Sequence, residues 1–179
     1  MQEVRHFDLV VIGSGPAGET AAMQASKLKK RVALVERLDR LGGASLHTGT
    51  VPSKSLRETV VNLAMIRQQS HGIQIAFKEN LTTAELMFRK QHVIQEQENS
   101  LRRNLDKNRV AVLHGTPRFL SPNLLEITPN ESDEPYQISL DYAVIATGSS
   151  PRGPDWAPFD HECVFDSDTI LEIEQLPRK

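Results

Sequence analysis

The 179-residue chain has almost no cysteine, since Cys163 is the only one. A single thiol excludes an intrachain disulfide and fits a protein of the reducing cytoplasm. The chain also lacks any apolar run approaching the roughly 20 residues that span a bilayer. Its first residues, MQEVRHFD, lack the apolar region of a signal peptide. We therefore expect a cytoplasmic protein with no membrane partner, in which the Cys163 thiol is a buried structural group.

The chain has no excess of charge of one sign. Its 21 basic and 23 acidic residues give a net charge of −2, and no block of like charge interrupts the sequence. Because surfaces that bind nucleic acid are usually basic, this balance predicts no nucleic-acid partner. A hydrophobic fraction of 39% with a charged fraction of 25% is typical of an ordinary globular domain.

The first part of the chain predicts a strand, a helix and a second strand. Residues 8–13, DLVVIG, form a continuous apolar run, which is typical of a strand buried on both faces. Small apolar residues at helical spacing predict a helix over 16–29, and RVALVE predicts a second buried strand over 31–36. A βαβ unit of this kind builds a parallel sheet with a right-handed crossover.

The remaining pattern predicts an α/β fold with a central parallel sheet, flanking helices and a three-stranded antiparallel meander. Helices are predicted over 53–69 and 83–106, and buried strands over 109–115 and 142–148. The meander strands are predicted at 116–120, 124–128 and 136–140. Residues 1–150 are assigned to the sheet domain, and residues 151–179 to an irregular connector.

A glycine-rich turn follows the first predicted strand. The segment GSGPAG places Gly13, Gly15 and Gly18 in the G-x-G-x-x-G spacing. In this context the first glycine allows a tight turn, the second lets a pyrophosphate approach, and the third lets helix and strand pack closely. Glu36 ends the second strand, where a carboxylate accepts hydrogen bonds from a ribose diol. The pattern favours a dinucleotide site, NAD or FAD, over an ordinary turn with a surface glutamate.

The next segment is GGASLHTGTVPSKSLRE over 42–58, in which residues 42–52 are predicted to form a loop before the helix. It resembles the redox-active segment of the pyridine nucleotide–disulfide oxidoreductase family, which includes lipoamide dehydrogenase and glutathione reductase. The family pattern G-G-x-C-x-x-x-x-C-x-P-S-K is matched at its glycines and at Pro-Ser-Lys. Ser45 and Thr50 stand at the two cysteine positions. The ATG motif at 146–148 extends the resemblance over nearly the whole chain. HTGTVPSKSLRE is most similar to the soluble, flavin-dependent pyridine nucleotide transhydrogenases, from which Ser45 still departs.

The resemblance implies a Rossmann-like FAD-binding domain and no metal. It places Lys54 beside the flavin, where a positive charge would tune hydride transfer. Ser45 and Thr50 cannot form a redox disulfide, because hydroxyls do not cycle between thiolate and disulfide. The residues implied to contact the cofactor are Gly13, Gly15, Pro16, Ala17, Gly18, Glu36, Arg37, Gly43, Ala44, Ser45, Gly49, Thr50, Lys54, Gly115, Thr116, Ala146, Thr147 and Gly148.

Without a thiol relay, electrons leave a flavin most simply as hydride to a second nicotinamide. The resemblance therefore implies a transhydrogenase that moves hydride from NADPH to NAD⁺ through FAD. Because family members are much longer, it also implies an N-terminal portion of a parent enzyme that dimerises through a C-terminal domain. The portion alone is expected to be inactive. Two alternatives stay open: a noncatalytic scaffold with the FAD fold, and an FAD-dependent NAD(P)H reductase with another acceptor, similar to lipoamide dehydrogenase.

Overall fold

The computed structural model describes residues 4–68, 83–130, 134–160 and 162–173. The chain divides into two compact units. The first consists of residues 1–44 and 98–149, and the second of residues 45–97 and 150–179. The sequence-based assignment of residues 1–150 and 151–179 to a sheet domain and a connector stays a prediction.

Five strands build the first unit: β1 (Arg5–Ile12), β2 (Val32–Glu36), β3 (Ala111–Ser121), β4 (Leu124–Pro129) and β5 (Tyr136–Ile145). β1 pairs in parallel with both β2 and β5, and β2 pairs in parallel with β3. β4 is antiparallel to β3 and to β5, and it closes the five strands into a barrel. The parallel ladder of β3, β2, β1 and β5 confirms the predicted parallel sheet.

The predicted antiparallel meander is confirmed by the pairing of β4 with β3 and with β5, but its two outer strands are continuous with strands of the parallel sheet. β3 continues from parallel pairing with β2 into antiparallel pairing with β4, passing through Gly115. β5 pairs first with β4 and then runs on beside β1. Each of these long strands therefore joins two predicted strands into one. The sequence predicted two strands in each case, because a local pattern indicates parallel or antiparallel character but not that one strand changes its pairing partner.

The described helices are α1 (Pro16–Lys27), α2 (Gly43–His47), α3 (Thr50–Gln68), α4 (Thr83–Lys107) and a 3-10 helix, Thr169–Glu172. The loop predicted from residue 42 to Pro52 is wrong, because α2 occupies part of it and α3 begins at Thr50. Pro52 fits the first turn of α3, where its missing N–H has no acceptor within the helix. Among the described residues, no helix is long and apolar enough to cross a membrane.

Two apolar clusters stabilise the first unit. One fills the barrel with residues from all five strands: Phe7, Val10, Ile12, Ala33, Val35, Leu125, Ile127, Ile138 and Leu140, with Ala111 and Leu113 against them. The other packs the outer face of the sheet against α1 and α4: Val11, Ala22, Val32, Leu34, Leu41, Leu101, Leu105 and Val110. Each fully buried leucine or valine contributes about 1.5–3 kcal/mol. This packing fixes the strand ends on which the site is built.

Candidate cofactor-binding site

The carboxyl ends of β1, β2 and β5 lie side by side in the first unit. Ile12 is in register with Val35 on one side and Ile145 on the other. Beyond them, the N–H of Gly13 donates to the carbonyl of Val35, and the N–H of Ala146 donates to that of Ile12, both at 2.8 Å. The glycine loop, the end of β2 and the 146–148 segment therefore meet at one edge. In doubly wound sheets this is the edge that binds ligands.

Packing alone requires two of the three loop glycines. Gly13 has a φ of 103°, a conformation that side chains disfavour, and a Cβ there would overlap the carbonyl oxygen of Ala146. A Cβ on Gly18 would overlap the carbonyl oxygen of Gly13. Both glycines therefore let the turn, α1 and the 146–148 segment approach one another closely.

Gly15 has a different reason to be glycine. Its φ of −65° suits any residue, and a Cβ added there would meet no atom within 4 Å. Neither backbone conformation nor protein packing requires glycine at this position. Among the described residues, no side chain caps the N-terminus of α1, so the positive end of the helix dipole remains available to an anion. There is open space beside Gly15, and its contact with a pyrophosphate stays a prediction.

Glu36 is buried at the end of β2, and its carboxylate already accepts three hydrogen bonds. Oε2 accepts from the N–H of Ser14 at 2.9 Å and from its hydroxyl at 2.6 Å. Oε1 accepts from the N–H of Leu38 at 3.1 Å. A carboxylate offers about four lone-pair positions, so one remains for a ribose hydroxyl. The ribose contact stays a prediction, to which the structure adds that Glu36 holds the glycine loop.

Ser14 lies outside the set of residues predicted from the sequence. Its side chain is only 1% exposed, and its hydroxyl also accepts a hydrogen bond from the N–H of Gly42 at 3.0 Å. Ser14 therefore connects the glycine loop, the end of β2 and the start of the GG segment. The sequence could have indicated Ser14 only through its position as a small hydroxyl residue between two glycines. Its role was missed because its hydrogen-bond partners, Glu36 and Gly42, are 22 and 28 residues away in the sequence.

The segment after β2 is braced by residues that the sequence patterns did not indicate. The guanidinium Nη2 of Arg102 donates to the carbonyl of Asp39 at 2.7 Å. The side-chain amide of Asn130 donates to the carbonyl of Arg37 at 3.0 Å and to the Asp39 carboxylate at 2.7 Å. These contacts fix the backbone of residues 37–39. The Arg37 side chain is exposed, and its contact with the cofactor stays a prediction.

The structure gives Gly115 a packing role. It lies inside β3 opposite Pro129, and Thr116 is paired with Thr128. The φ of Gly115 is 154°, and a Cβ there would overlap the carbonyl oxygen of Thr128. Close pairing of β3 with β4 therefore accounts for this glycine. Cofactor contacts at Gly115 and Thr116 stay predictions.

Three of the predicted site residues, Ser45, Thr50 and Lys54, lie in the second unit. Ser45 is part of α2, Thr50 is the first residue of α3, and Lys54 is exposed one turn later. The Ser53 hydroxyl donates to the carbonyl of Gly49 at 2.9 Å, which ties the start of α3 to the residue before it. The roles assigned to Ser45, Thr50 and Lys54 stay predictions.

The prediction that Cys163 is buried is wrong, because its side chain is exposed. Cys163 lies between strands and helices, in a stretch without regular secondary structure. Its N–H donates to Oδ1 of Asp160 at 2.9 Å. A short irregular stretch buries few side chains, which overrides the general tendency of cysteine to be buried.

The chain belongs to the pyridine nucleotide-disulphide oxidoreductase family, whose model matches residues 7–179. It is similar to soluble pyridine nucleotide transhydrogenases from Mycobacterium bovis (42% identity over 97% of the chain) and Colwellia psychrerythraea (36% over 99%). A solved structure, the Cu(II) complex of a mutant HOCl-induced flavoprotein disulfide reductase RclA from Escherichia coli, matches 97% of the chain with 25% identity and a TM-score of 0.77.

The chain spans only part of these relatives. It covers 37% and 38% of the two transhydrogenases and 36% of the reductase structure. The predicted family is confirmed, and the family match together with the flavoprotein relative indicates FAD as the cofactor. The transhydrogenase relatives are oxidoreductases, as predicted.

Proposed function

We propose that the chain is the FAD-binding N-terminal portion of a pyridine nucleotide transhydrogenase. The parent enzyme moves hydride from NADPH to NAD⁺ through FAD without a redox disulfide. The observation that carries the FAD-binding part is the open space beside Gly15 at the carboxyl edge of the parallel strands. The names of the two transhydrogenase relatives, each matched over nearly the whole chain, support the reaction.

The glycine loop supplies the binding site for the pyrophosphate. Its backbone presents no Cβ at Gly15, and α1 directs its N-terminus toward the same place. The remaining lone pair of Glu36 Oε1 receives a ribose hydroxyl, while the three bonds already present keep the carboxylate in position. The 146–148 segment lies beside Gly13 and forms the neighbouring wall.

The chain carries no thiol relay of its own. Its only cysteine is exposed Cys163, while Ser45 and Thr50 occupy the two redox-cysteine positions. FAD held by the glycine loop and Glu36 would supply the hydride chemistry between two nicotinamides. The family resemblance assigns Lys54 a positive charge beside the flavin, and a contribution of this kind would be electrostatic. Cytoplasmic location and dimerisation of the parent through a later domain belong to the same proposal.

Gly15 provides the direct test of the cofactor site. We expect the wild-type chain to bind FAD in a fluorescence titration and Gly15→Ala to weaken binding by about tenfold or more, a change of about 1.4 kcal/mol. The fold should be kept, because alanine at a compatible φ changes stability by about 0.4–1 kcal/mol. Gly153→Ala is the matched control, since an added Cβ there makes only ordinary contacts. Equal FAD affinity in Gly15→Ala and wild type would contradict the proposed site.

The reaction is tested on the full-length protein that contains this chain. We expect NADPH to reduce an NAD⁺ analogue faster than any disulfide substrate, and we expect the 179-residue chain alone to show no exchange. Faster turnover of a disulfide would contradict the transhydrogenase. Turnover of another acceptor only would support the reductase alternative. A full-length protein that stays colourless with added FAD would support the noncatalytic scaffold.

A further inference from the structure

A cluster of metal-ligating groups lies on the first unit, away from the carboxyl edge of the parallel strands. It consists of His6 and Asp8 on β1 and Asp141 on β5. One nitrogen or oxygen atom from each residue lies within 4.8 Å of the other two. The cluster is near the start of β1, whereas the glycine loop follows its end.

Strand register places these side chains together. His6 pairs with Ser139, and Phe7 pairs with Leu140, both in the parallel β1–β5 ladder. Phe7 and Leu140 are buried in the barrel, so their neighbours along each strand face outward. Asp8 and Asp141 lie between this pair and the Leu9–Tyr142 pair, one on each strand. The two neighbouring strands, β1 and β5, therefore present one imidazole and two carboxylates on a single outer face.

A local irregularity fixes the orientation of Asp8. The N–H groups of Asp8 and Leu9 both donate to the carbonyl of Arg31, at 2.9 and 3.2 Å. The barrel core contains Phe7 and next Val10, with two residues between them instead of one. Asp8 Oδ2 accepts from the N–H of Arg31 at 2.5 Å, which leaves Oδ1 for another partner.

The His6 ring is also held from outside the cluster. Its Nδ1 lies 3.1 Å from the Ser139 hydroxyl, and its Nε2 lies 3.7 Å from Oδ1 of Asp141. An oxygen partner on one ring nitrogen is the usual arrangement for a histidine that binds metal through the other. In the neutral tautomer that is protonated at Nδ1, Nδ1 donates to the Ser139 hydroxyl and Nε2 keeps a lone pair on the side of Asp141. The histidine is thereby prepared to act as a ligand.

The charges of the cluster call for a cation. The carboxylates of Asp8 and Asp141 each offer an oxygen within 4.8 Å of the other, and like charges on neighbouring strands repel each other. The nearby Arg5 is stacked on the ring of Phe7, with its guanidinium carbon 5.3 Å from the ring centroid. A divalent cation between the carboxylates would remove their repulsion. One imidazole with two carboxylates suits a borderline first-row ion, and three protein ligands plus water suit Zn²⁺.

We propose that His6, Asp8 and Asp141 form a binding site for a first-row divalent cation such as Zn²⁺, which joins β1 to β5. His6 binds through Nε2, each aspartate through one oxygen, and water completes the coordination. The site is separate from the glycine loop, so it does not depend on the proposed function. Its role is to stabilise the pairing of the first strand with β5.

The test is calorimetric titration of the 179-residue chain with Zn²⁺ in a Cys163→Ser background, which removes the only thiol. We expect one ion per chain. We also expect both His6→Ala and Asp141→Asn to weaken binding by at least about 10- to 100-fold, the loss that removing an outer-shell partner of a ligand already causes. His92→Ala is the matched control, because His92 is an exposed histidine of α4 outside the cluster, and we expect wild-type affinity. Zn²⁺ should raise the thermal midpoint of the wild type and not that of Asp141→Asn.

A spectroscopic readout separates ligation from a purely structural effect. We expect Zn²⁺ to shift the Nε2 resonance of His6 in a nitrogen-15 spectrum while Nδ1 stays protonated. The proposal is overturned if Zn²⁺ fails to bind, if His92→Ala weakens binding as much as His6→Ala, or if the shift appears on Nδ1. Binding of Mg²⁺ as tightly as Zn²⁺ would equally overturn the assignment, because imidazole does not favour Mg²⁺.

Discussion

Replacing Glu36 by glutamine tests whether this carboxylate organises the glycine loop. The substitution keeps the shape of the side chain but leaves one oxygen where there were two. Oε2 now serves both donors of Ser14, and Oε1 serves the N–H of Leu38. Whichever way the amide turns, its NH₂ group faces at least one of these donors. The change therefore removes at least one hydrogen bond to a charged acceptor and leaves an N–H without its partner.

The magnitude follows from the burial of the group. Glu36 is 8% exposed, and its two bonds from Ser14 are buried, whereas its bond from Leu38 is part-buried. A hydrogen bond to a charged group contributes about 1.5–3 kcal/mol. For a chain of this size each kcal/mol lowers the thermal midpoint by about 2–4 °C, so we expect Glu36→Gln to lower it by about 3–12 °C. Calorimetry at neutral pH measures this change.

Glu126→Gln is the matched control, with the same substitution on another strand of the first unit. Glu126 accepts two hydrogen bonds from Arg118, but 72% of the arginine side chain is exposed. Such exposed pairs contribute about 0–1 kcal/mol. In a cycle with Ser14→Ala, we expect Glu36→Gln to be coupled by about 0.5–3 kcal/mol. Additive effects, or a loss no larger than that of Glu126→Gln, would refute the role given to Glu36.

Two further outcomes concern the second unit. Because the Cys163 side chain is exposed, its thiol should react with one equivalent of a chromogenic disulfide reagent in the native chain. The reaction should be about as fast as in denaturant. Slow labelling of the native chain would contradict the exposure of Cys163. The pKa of Asp160 is lowered from 3.8 to about 2, because its carboxylate accepts hydrogen bonds from the N–H groups of Val164, Cys163 and Glu162. Because the pKa is lowered in the folded state, this contribution to stability is complete above about pH 4 and is lost as the pH falls toward 2. A carboxyl titration of the folded chain should therefore place the Asp160 midpoint near 2. Asp160→Asn should lack this pH dependence of stability.

Local patterns predicted the elements that depend on near neighbours in the sequence. The apolar run of residues 8–13 marked β1, and small residues at helical spacing marked α1. The strand-turn-helix order then placed the glycine motif correctly at the carboxyl edge of the parallel strands. These features follow from backbone geometry and periodicity, which a short window of sequence contains.

Contacts between distant residues were not predictable in this way. Arg102 reaches the carbonyl of Asp39 across 63 positions, and Asn130 reaches that of Arg37 across 93. Neither residue belongs to a sequence motif that would indicate such a contact. The closure of the barrel by β4 was not predictable either, because the alternating pattern of a strand does not specify which strands it pairs with.

The three glycines of the loop show which part of a sequence motif reports a ligand. Gly13 and Gly18 would be needed in any turn of this shape, because a Cβ on either overlaps a backbone carbonyl oxygen. A turn selected for packing alone would therefore keep these two and accept alanine at the position between them. Gly15 makes no such contact and has an ordinary φ. Packing therefore gives no reason for glycine at this middle position, whereas the proposed pyrophosphate site does.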